Sequence, residues 1–133
     1  MSGPADRPSI LIVDEDIGFL WWLGELFNDS GYRSIPALSC TEALERLDML
    51  TEAVDLLVVN PSLPGVAVLL ETLTRIRMPK IVLILDAGGS DPIPGISADA
   101  TLERPSGRPP VSYAEWRQKV QKILTKVGFR AAS

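Results

Sequence analysis

A short acidic run near the amino terminus contains the residues best suited to chemistry. Asp14, Glu15 and Asp16 follow one another directly after an apolar stretch. The chain has no histidine and a single cysteine, Cys40, which excludes Cys/His zinc sites, histidine-dependent nucleophiles and internal disulfides. Any chemistry must therefore use carboxylates, hydroxyls, lysine or arginine. The three acids also suit the positive amino end of a helix, and that alternative stays open.

The acidic run is positioned by strands that alternate with helices along the chain. Apolar or β-branched runs predict strands, and amphipathic segments with capping boxes at Ser39 and Ser112 predict helices. Pro36 lacks a backbone donor, which places its strand at a sheet edge. The predicted strands are residues 9–13, 32–37, 55–59, 80–85 and 100–103, and the predicted helices are 16–29, 66–77 and those that begin at the two capping boxes. Glycines and prolines disfavour a full helix in residues 88–97, so a helix before the last strand is expected to be shortened or absent.

This order of elements predicts an α/β fold. Strands joined by right-handed helical crossovers form a parallel sheet with helices on both faces. We predict a flavodoxin-like, five-stranded sheet with the order 2-1-3-4-5, in which a site lies at the carboxyl ends of the first and third strands. Those ends carry the acidic run and Asn60.

Several short motifs, in their order and spacing, resemble the bacterial response-regulator receiver domain. The resemblance covers residues 9–129 and rests on ILIVDED (10–16), GY (31–32), EAL (42–44), DLLVV (55–59), LPG (63–65) and RP (104–105). In that family an acidic pair after the first strand binds Mg²⁺, and an aspartate that ends the third strand accepts a phosphoryl group from a histidine kinase. A Ser or Thr ends the fourth strand and a lysine ends the fifth. The resemblance implies a receiver fold and a two-component (phosphorelay) signalling context.

The sequence departs from the family pattern where the phosphoryl chemistry takes place. The acidic pair falls on Asp14 and Glu15, but the phosphoacceptor position is Asn60. A neutral amide cannot form the acyl phosphate that a carboxylate nucleophile forms. The Ser/Thr position is Asp86, the lysine position is Arg104, and the position of the family's aromatic switch residue is Thr101.

Arg104 is the predicted counter-charge of this altered acidic pocket. The loss of a negative charge at residue 60 weakens a Mg²⁺ site at Asp14 and Glu15. We therefore expect either no cofactor or weak binding of Mg²⁺ at these two residues. Arginine presents a rigid fork that can bind Asp86 or Asp14 through two hydrogen bonds. The hypothesis is that Arg104 replaces both metal and phosphoryl group. Pairing of Arg104 with another surface acid is the alternative.

Two surfaces are candidates for protein contacts. With Phe19 at the centre of the inward face of the first helix, Trp21 lies on the opposite side and Leu20 at the margin. An outward tryptophan beside a leucine is typical of an interface, although a tryptophan lying over neighbouring aliphatic side chains is the alternative. Where the fourth helix is shortened or absent, apolar sheet surface is open, to be covered by Ile93 and Ile96 or by a second chain.

We therefore predict an atypical receiver, a pseudo-receiver, that is not an enzyme and acts through protein contacts without accepting phosphate. Expected partners are a signalling protein such as a histidine kinase or another regulator, and a second copy in a homodimer. The alternatives are a receiver phosphorylated at a non-standard carboxylate such as Asp86, and a flavodoxin-like small-ligand-binding protein or enzyme.

Composition bounds the remaining properties. The net charge is −4 and the basic residues are scattered, so nucleic acid is not an expected partner. No apolar run is long enough to span a membrane, and the first residues lack a secretory signal, which predicts a cytoplasmic protein. One receiver-like domain at residues 9–129 is expected between flexible ends at 1–8 and 130–133.

Overall fold

The computed structural model describes residues 8–49, 54–76, 79–85, 98–103 and 113–128, which contain five strands and four helices that alternate as far as the fourth strand. The strands are β1 (Ser9–Val13), β2 (Arg33–Ala37), β3 (Leu56–Val59), β4 (Lys80–Leu85) and β5 (Ala100–Glu103). The helices are α1 (Ile17–Asp29), α2 (Cys40–Met49), α3 (Val66–Ile76) and α4 (Tyr113–Lys126). All strand pairs are parallel, in the predicted order β2-β1-β3-β4-β5.

Adjacent residues of the central strands face opposite helical layers. Ile10 and Ile12 of β1 pack with α1 and α4, whereas Leu11 and Val13 pack with α2 and α3. A strand covered on both faces needs an apolar residue at every position, which explains the uninterrupted LLVV run of β3. The prediction of a parallel sheet with helices on both faces is confirmed.

The edge position of β2 is also confirmed. Among the described strands, β1 is its only neighbour in the sheet, and Pro36, which pairs with Ile12, is exposed. A residue without a backbone donor is tolerated there because one side of the strand has no ladder to complete.

Aspartates close the amino edge of the sheet. Asp55 was expected to be the first residue of the third strand, but it precedes that strand, and its Oδ2 accepts a hydrogen bond from Ser9 N at 2.9 Å. Asp99, which precedes β5, acts in the same way towards β4, where its Oδ2 accepts from Ile81 N at 2.8 Å. At both places an aspartate side chain therefore accepts a hydrogen bond from a backbone N–H of the neighbouring strand.

Cys40 lies in the core at the start of α2. Its side chain is buried, and a Cβ built on Gly65 would lie 3.4 Å from Cys40 Cβ. Burial raises the pKa of the Cys40 thiol, so the thiolate is scarce at neutral pH and the residue serves as a small apolar group.

The end of α1 requires a glycine. Gly31 has a φ of 92°, and its N–H donates to Asn28 O at 3.2 Å, while Tyr32 N donates to Phe27 O at 3.0 Å. These two bonds form a Schellman motif, whose left-handed residue is strained for any side chain with a Cβ.

Two alanine substitutions in this region are expected to have opposite effects. Gly31→Ala lowers the free energy of unfolding by about 1 kcal/mol because it forces a Cβ into the left-handed region. Gly18→Ala in the first turn of α1, where φ is not positive, raises that free energy by about 0.5 kcal/mol because alanine has the higher helix propensity. Urea unfolding of the two variants measures both changes, and two shifts of the same sign would contradict this account of the helix end.

Some predictions fall on residues that are not described. The shortened or absent helix concerns residues 88–97, and the flexible ends concern residues 1–8 and 130–133; of these only Pro8 is described, and its carbonyl accepts a hydrogen bond from Arg33 N at 2.9 Å. Within the described ranges, no helix combines the length and the apolar character needed to cross a membrane.

Candidate functional site

The carboxyl edge of the sheet brings Asp14 and Asn60 together. β1 and β3 are neighbours with Val13 opposite Val59, so the residues that follow the two strands lie side by side. Asn60 N donates to Val13 O at 3.0 Å, and Asp14 N donates to Ala37 O at 3.2 Å. These bonds extend the ladders one residue beyond the strands. They hold both side chains inside the protein, with Asp14 0% and Asn60 6% exposed.

The side-chain amide of Asn60 is hydrogen-bonded at both ends. Its Nδ2 donates to Asp14 Oδ1 at 3.3 Å, and its Oδ1 accepts from Ser62 N at 3.0 Å and from Ser62 Oγ at 2.6 Å. A flipped amide would place its oxygen against the carboxylate and its NH₂ group against a backbone N–H, so the partners determine its orientation. Asn60 therefore presents a neutral donor to a buried carboxylate.

Ser62 is a member of this site that sequence reasoning missed. It follows Asn60 and Pro61 in the loop after β3. Asparagine side chains commonly accept a hydrogen bond from the backbone two residues on, and proline favours the turn between them. The Asn-Pro-Ser sequence after a buried strand was the signal that could have revealed it.

The three acids of the run take three different positions. Asp14 is buried beside Asn60, and its Oδ1 also accepts from Asp16 N at 3.5 Å. Asp16 caps α1, because its Oδ1 accepts from Phe19 N at 3.1 Å. Glu15 is exposed. Helix capping thus accounts for Asp16, and of the pair Asp14 and Glu15 only Asp14 lies in the buried contact with Asn60.

The donors around Asp14 do not fit a Mg²⁺ site. Mg²⁺ takes oxygen ligands in near-octahedral geometry, but the Asn60 oxygen is engaged by Ser62, and the group that faces Asp14 is an NH₂ donor. Over the ranges that the structure describes, no group of three or more His, Cys, Asp or Glu side chains could hold a metal ion. The arrangement is a hydrogen-bonded polar contact rather than a set of metal ligands.

Four predicted residues lie outside the described residues: Asp86, Arg104, Ile93 and Ile96. The role of Arg104 as counter-charge to the acidic pocket stays a prediction.

Thr101 lies on the side of β5 that faces away from α1 and α4. Ala100 and Leu102 are buried against α1 and α4, whereas Thr101 and Glu103 are exposed on the opposite side. The expectation of an open apolar surface is therefore wrong for β5, because its residues on that side are polar. The alternation in Ala-Thr-Leu-Glu is typical of a strand with one solvated face, and it was readable in the sequence.

The outer face of α1 confirms one predicted side-chain position and corrects another. Trp21 is 69% exposed, as the helical spacing predicts, but Leu20 is 4% exposed and belongs to the core. A Cβ built on Gly24 would lie 3.4 Å from Ser34 Oγ, which shows that α1 also packs closely against β2. More of the circumference of α1 is therefore buried than contact with the centre of the sheet implies, and Leu20 lies in the buried part.

Comparison with known proteins identifies the fold. A scan against protein-family models and a search of curated proteins found no significant match. Among solved structures, the chain is similar to the N-terminal domain of a response regulator/sensory box/GGDEF three-domain protein from Carboxydothermus hydrogenoformans, with a TM-score of 0.69, 17% identity, and coverage of 90% of this chain and 92% of that chain. The chain has the receiver-domain fold.

Further structures with this receiver fold have somewhat higher identity. A CheY-like receiver domain protein from Methanospirillum hungatei aligns at a TM-score of 0.59 with 22% identity, over 92% of this chain and 97% of that chain. The response regulator TrrA of Thermotoga maritima, solved in complex with Mg²⁺-BeF, aligns at a TM-score of 0.61 with 22% identity, over 89% of this chain and 100% of that chain.

Proposed function

We propose that this protein is a receiver-like interaction module of two-component signalling that works without accepting a phosphoryl group itself. The structures that share its fold include receiver domains and response regulators, which supports the signalling context. In this proposal the protein is not an enzyme, requires no Mg²⁺, and acts by binding a histidine kinase or another regulator.

The hydrogen bond from Asn60 to Asp14 carries the proposal. By the resemblance to receivers, residue 60 occupies the phosphoacceptor position, where an aspartate would add a second carboxylate beside Asp14. Two buried carboxylates at the observed separation of 3.3 Å need a cation or a proton between them. The Asn60 NH₂ group meets the same need from within the chain, and it leaves no carboxylate nucleophile at the end of β3.

The consequence for signalling is a single, constitutive state of this site. A receiver that accepts phosphate has two states that differ in charge at the carboxyl edge, and its partner can read that difference. The amide of Asn60 does not accept a phosphoryl group in this proposal, and its hydrogen bonds with Ser62 hold it in one orientation. Binding to the partner is therefore proposed to depend on the amount of protein present rather than on its modification.

Incubation with acetyl phosphate and Mg²⁺, followed by intact mass measurement, tests this proposal. The protein is expected to keep its mass, whereas Asn60→Asp is expected to gain one phosphoryl group because a carboxylate then ends β3. Asn60→Ser is the matched control, since it replaces the amide without supplying a carboxylate. A phosphoryl group on the unaltered protein would overturn the proposal, and Asp86 would be the first acceptor to test.

A further inference from the structure

The residue that follows Asn60 affects the chemical fate of its amide. The chain has two asparagines; Asn28 is followed by Asp29, whereas Asn60 is followed by Pro61. An asparagine amide is lost most readily by reaction with the backbone nitrogen of the next residue, because a nucleophile held in the same chain reacts far faster than water. The next residue therefore determines how long each amide lasts.

This reaction requires a hydrogen on the backbone nitrogen. After the nitrogen loses its proton, it attacks the side-chain carbon Cγ, and the new N–Cγ bond closes a cyclic imide. The Cγ–Nδ2 bond breaks, and Nδ2 takes a proton and leaves as ammonia. Water then opens the ring and leaves aspartate or isoaspartate at the position. A neutral amide is thereby replaced by a carboxylate.

Pro61 removes this nucleophile from Asn60. The nitrogen of proline is bonded to three carbons and carries no hydrogen, so it has no proton to lose and does not form the neutral imide. The route is therefore closed to Asn60 in any conformation of the loop. Asn28 keeps the route, because the backbone nitrogen of Asp29 carries a hydrogen.

The fold restrains the other intramolecular reaction of an asparagine that precedes proline. In that reaction Nδ2 attacks the backbone carbonyl carbon of its own residue, and the proline nitrogen takes the proton that Nδ2 loses and departs, which cuts the chain. Here Nδ2 of Asn60 donates to Asp14 Oδ1 at 3.3 Å, and Oδ1 accepts from both Ser62 N and Ser62 Oγ. An amide that is hydrogen-bonded at both ends is not free to turn towards its own carbonyl.

We propose that Pro61 keeps residue 60 an amide, so that the site does not acquire a phosphoacceptor as the protein ages. The inference rests on the proposed function, in which the neutral amide keeps the site silent. Deamidation of Asn60 would put a carboxylate beside the buried Asp14 and supply the nucleophile that the site lacks. The proline makes the neutral state of the site independent of the age of the molecule.

Ageing of the unfolded chain tests the role of the proline. The unaltered protein is kept in guanidinium chloride at mildly alkaline pH, and peptide mapping by mass spectrometry follows aspartate and isoaspartate at residues 28 and 60. The denaturant removes the influence of the fold, so a variant that folds poorly still gives an answer. Residue 60 is expected to convert at least about a hundredfold more slowly than residue 28, because it has lost its intramolecular nucleophile.

Two proline variants complete this experiment. Pro61→Gly is expected to raise the conversion of residue 60 to the rate of residue 28 or above, since glycine restores the N–H without a side chain that hinders ring closure. Pro64→Ala is the matched control, because it changes a proline of the same loop and leaves the neighbour of Asn60 unaltered. Equal rates at residues 28 and 60 in the unaltered chain would overturn the inference, and so would a residue 60 that stays an amide in Pro61→Gly.

Cleavage after residue 60 measures the contribution of the fold. It is expected in the unfolded chain and not in folded protein aged in parallel, because the hydrogen bonds of Asn60 exist only in the folded state. Equal cleavage in the two samples would overturn the protection that we assign to these bonds.

A phosphorylation readout separates this inference from the proposed function. Aged Pro61→Gly is refolded and incubated with acetyl phosphate and Mg²⁺, and the fraction with aspartate at residue 60 is expected to gain a phosphoryl group. A phosphoryl group on the unaltered chain, with residue 60 still an amide, would contradict the proposed function and not the role of Pro61. Conversion of residue 60 in a chain that keeps Pro61 would contradict the role of Pro61 alone.

Discussion

Asn60→Asp is expected to lower the free energy of unfolding by about 3 kcal/mol when Mg²⁺ is absent. The substitution removes the donor that Asp14 Oδ1 accepts from at 3.3 Å and puts a second carboxylate in its place. Both positions are buried, at 0% and 6% exposure, so water cannot screen the repulsion. Urea unfolding at neutral pH with a chelator present measures the loss. This is among the largest effects we expect from any single isosteric change in the described residues.

Two comparisons identify the cause of that loss. Millimolar Mg²⁺ is expected to restore much of the stability of Asn60→Asp and to leave the unaltered protein unchanged, because a ligand that binds only the native state stabilises it. The exchange variant Asp14→Asn/Asn60→Asp again pairs one amide with one carboxylate and is expected to recover most of the stability without metal. An Asn60→Asp variant as stable as the unaltered chain in chelator would show that the Asn60 amide is not the partner that Asp14 requires.

Trp116→Ala is expected to cost about 3–5 kcal/mol, the range for deleting a buried aromatic side chain. Trp116 is 7% exposed and makes edge-to-face ring contacts with Phe19 and Trp22 of α1. Lys119 Nζ lies 5.1 Å from the centroid of the same ring. The substitution therefore removes the contact that joins α4 to α1 and leaves a cavity between two helices and the sheet. Thermal and urea unfolding both measure the loss.

Trp21→Ala is the matched control for Trp116→Ala, since it deletes the same side chain from an exposed position of α1. Its expected effect on the stability of the monomer is within about 0.5 kcal/mol. Similar losses for the two variants would mean that α4 does not depend on the aromatic contact with α1.

Local sequence determined the elements and their order. The apolar runs of β1 and β4 and the capping and glycine signals around α1 predicted helices and strands to within one residue of the observed bounds. Right-handed crossovers then leave few ways to arrange five parallel strands, so the sheet order and the meeting of Asp14 with Asn60 followed. The identity of residue 60 as an amide is itself a sequence fact, and it bears most directly on the chemistry.

Tertiary structure decided how each side chain at these positions is used. Three consecutive acids look equivalent in the sequence, but the direction in which the chain leaves β1 buries Asp14, exposes Glu15 and makes Asp16 a helix cap. Leu20 looked marginal because helical periodicity measures only one face, whereas α1 is covered by the sheet, including its edge strand β2, and by α4. The ring contacts of Trp116 with Phe19 and Trp22 likewise depend on α1 and α4, which are separated by most of the chain, lying side by side. Periodicity reports a direction around one element, and only packing among several elements determines which directions are buried.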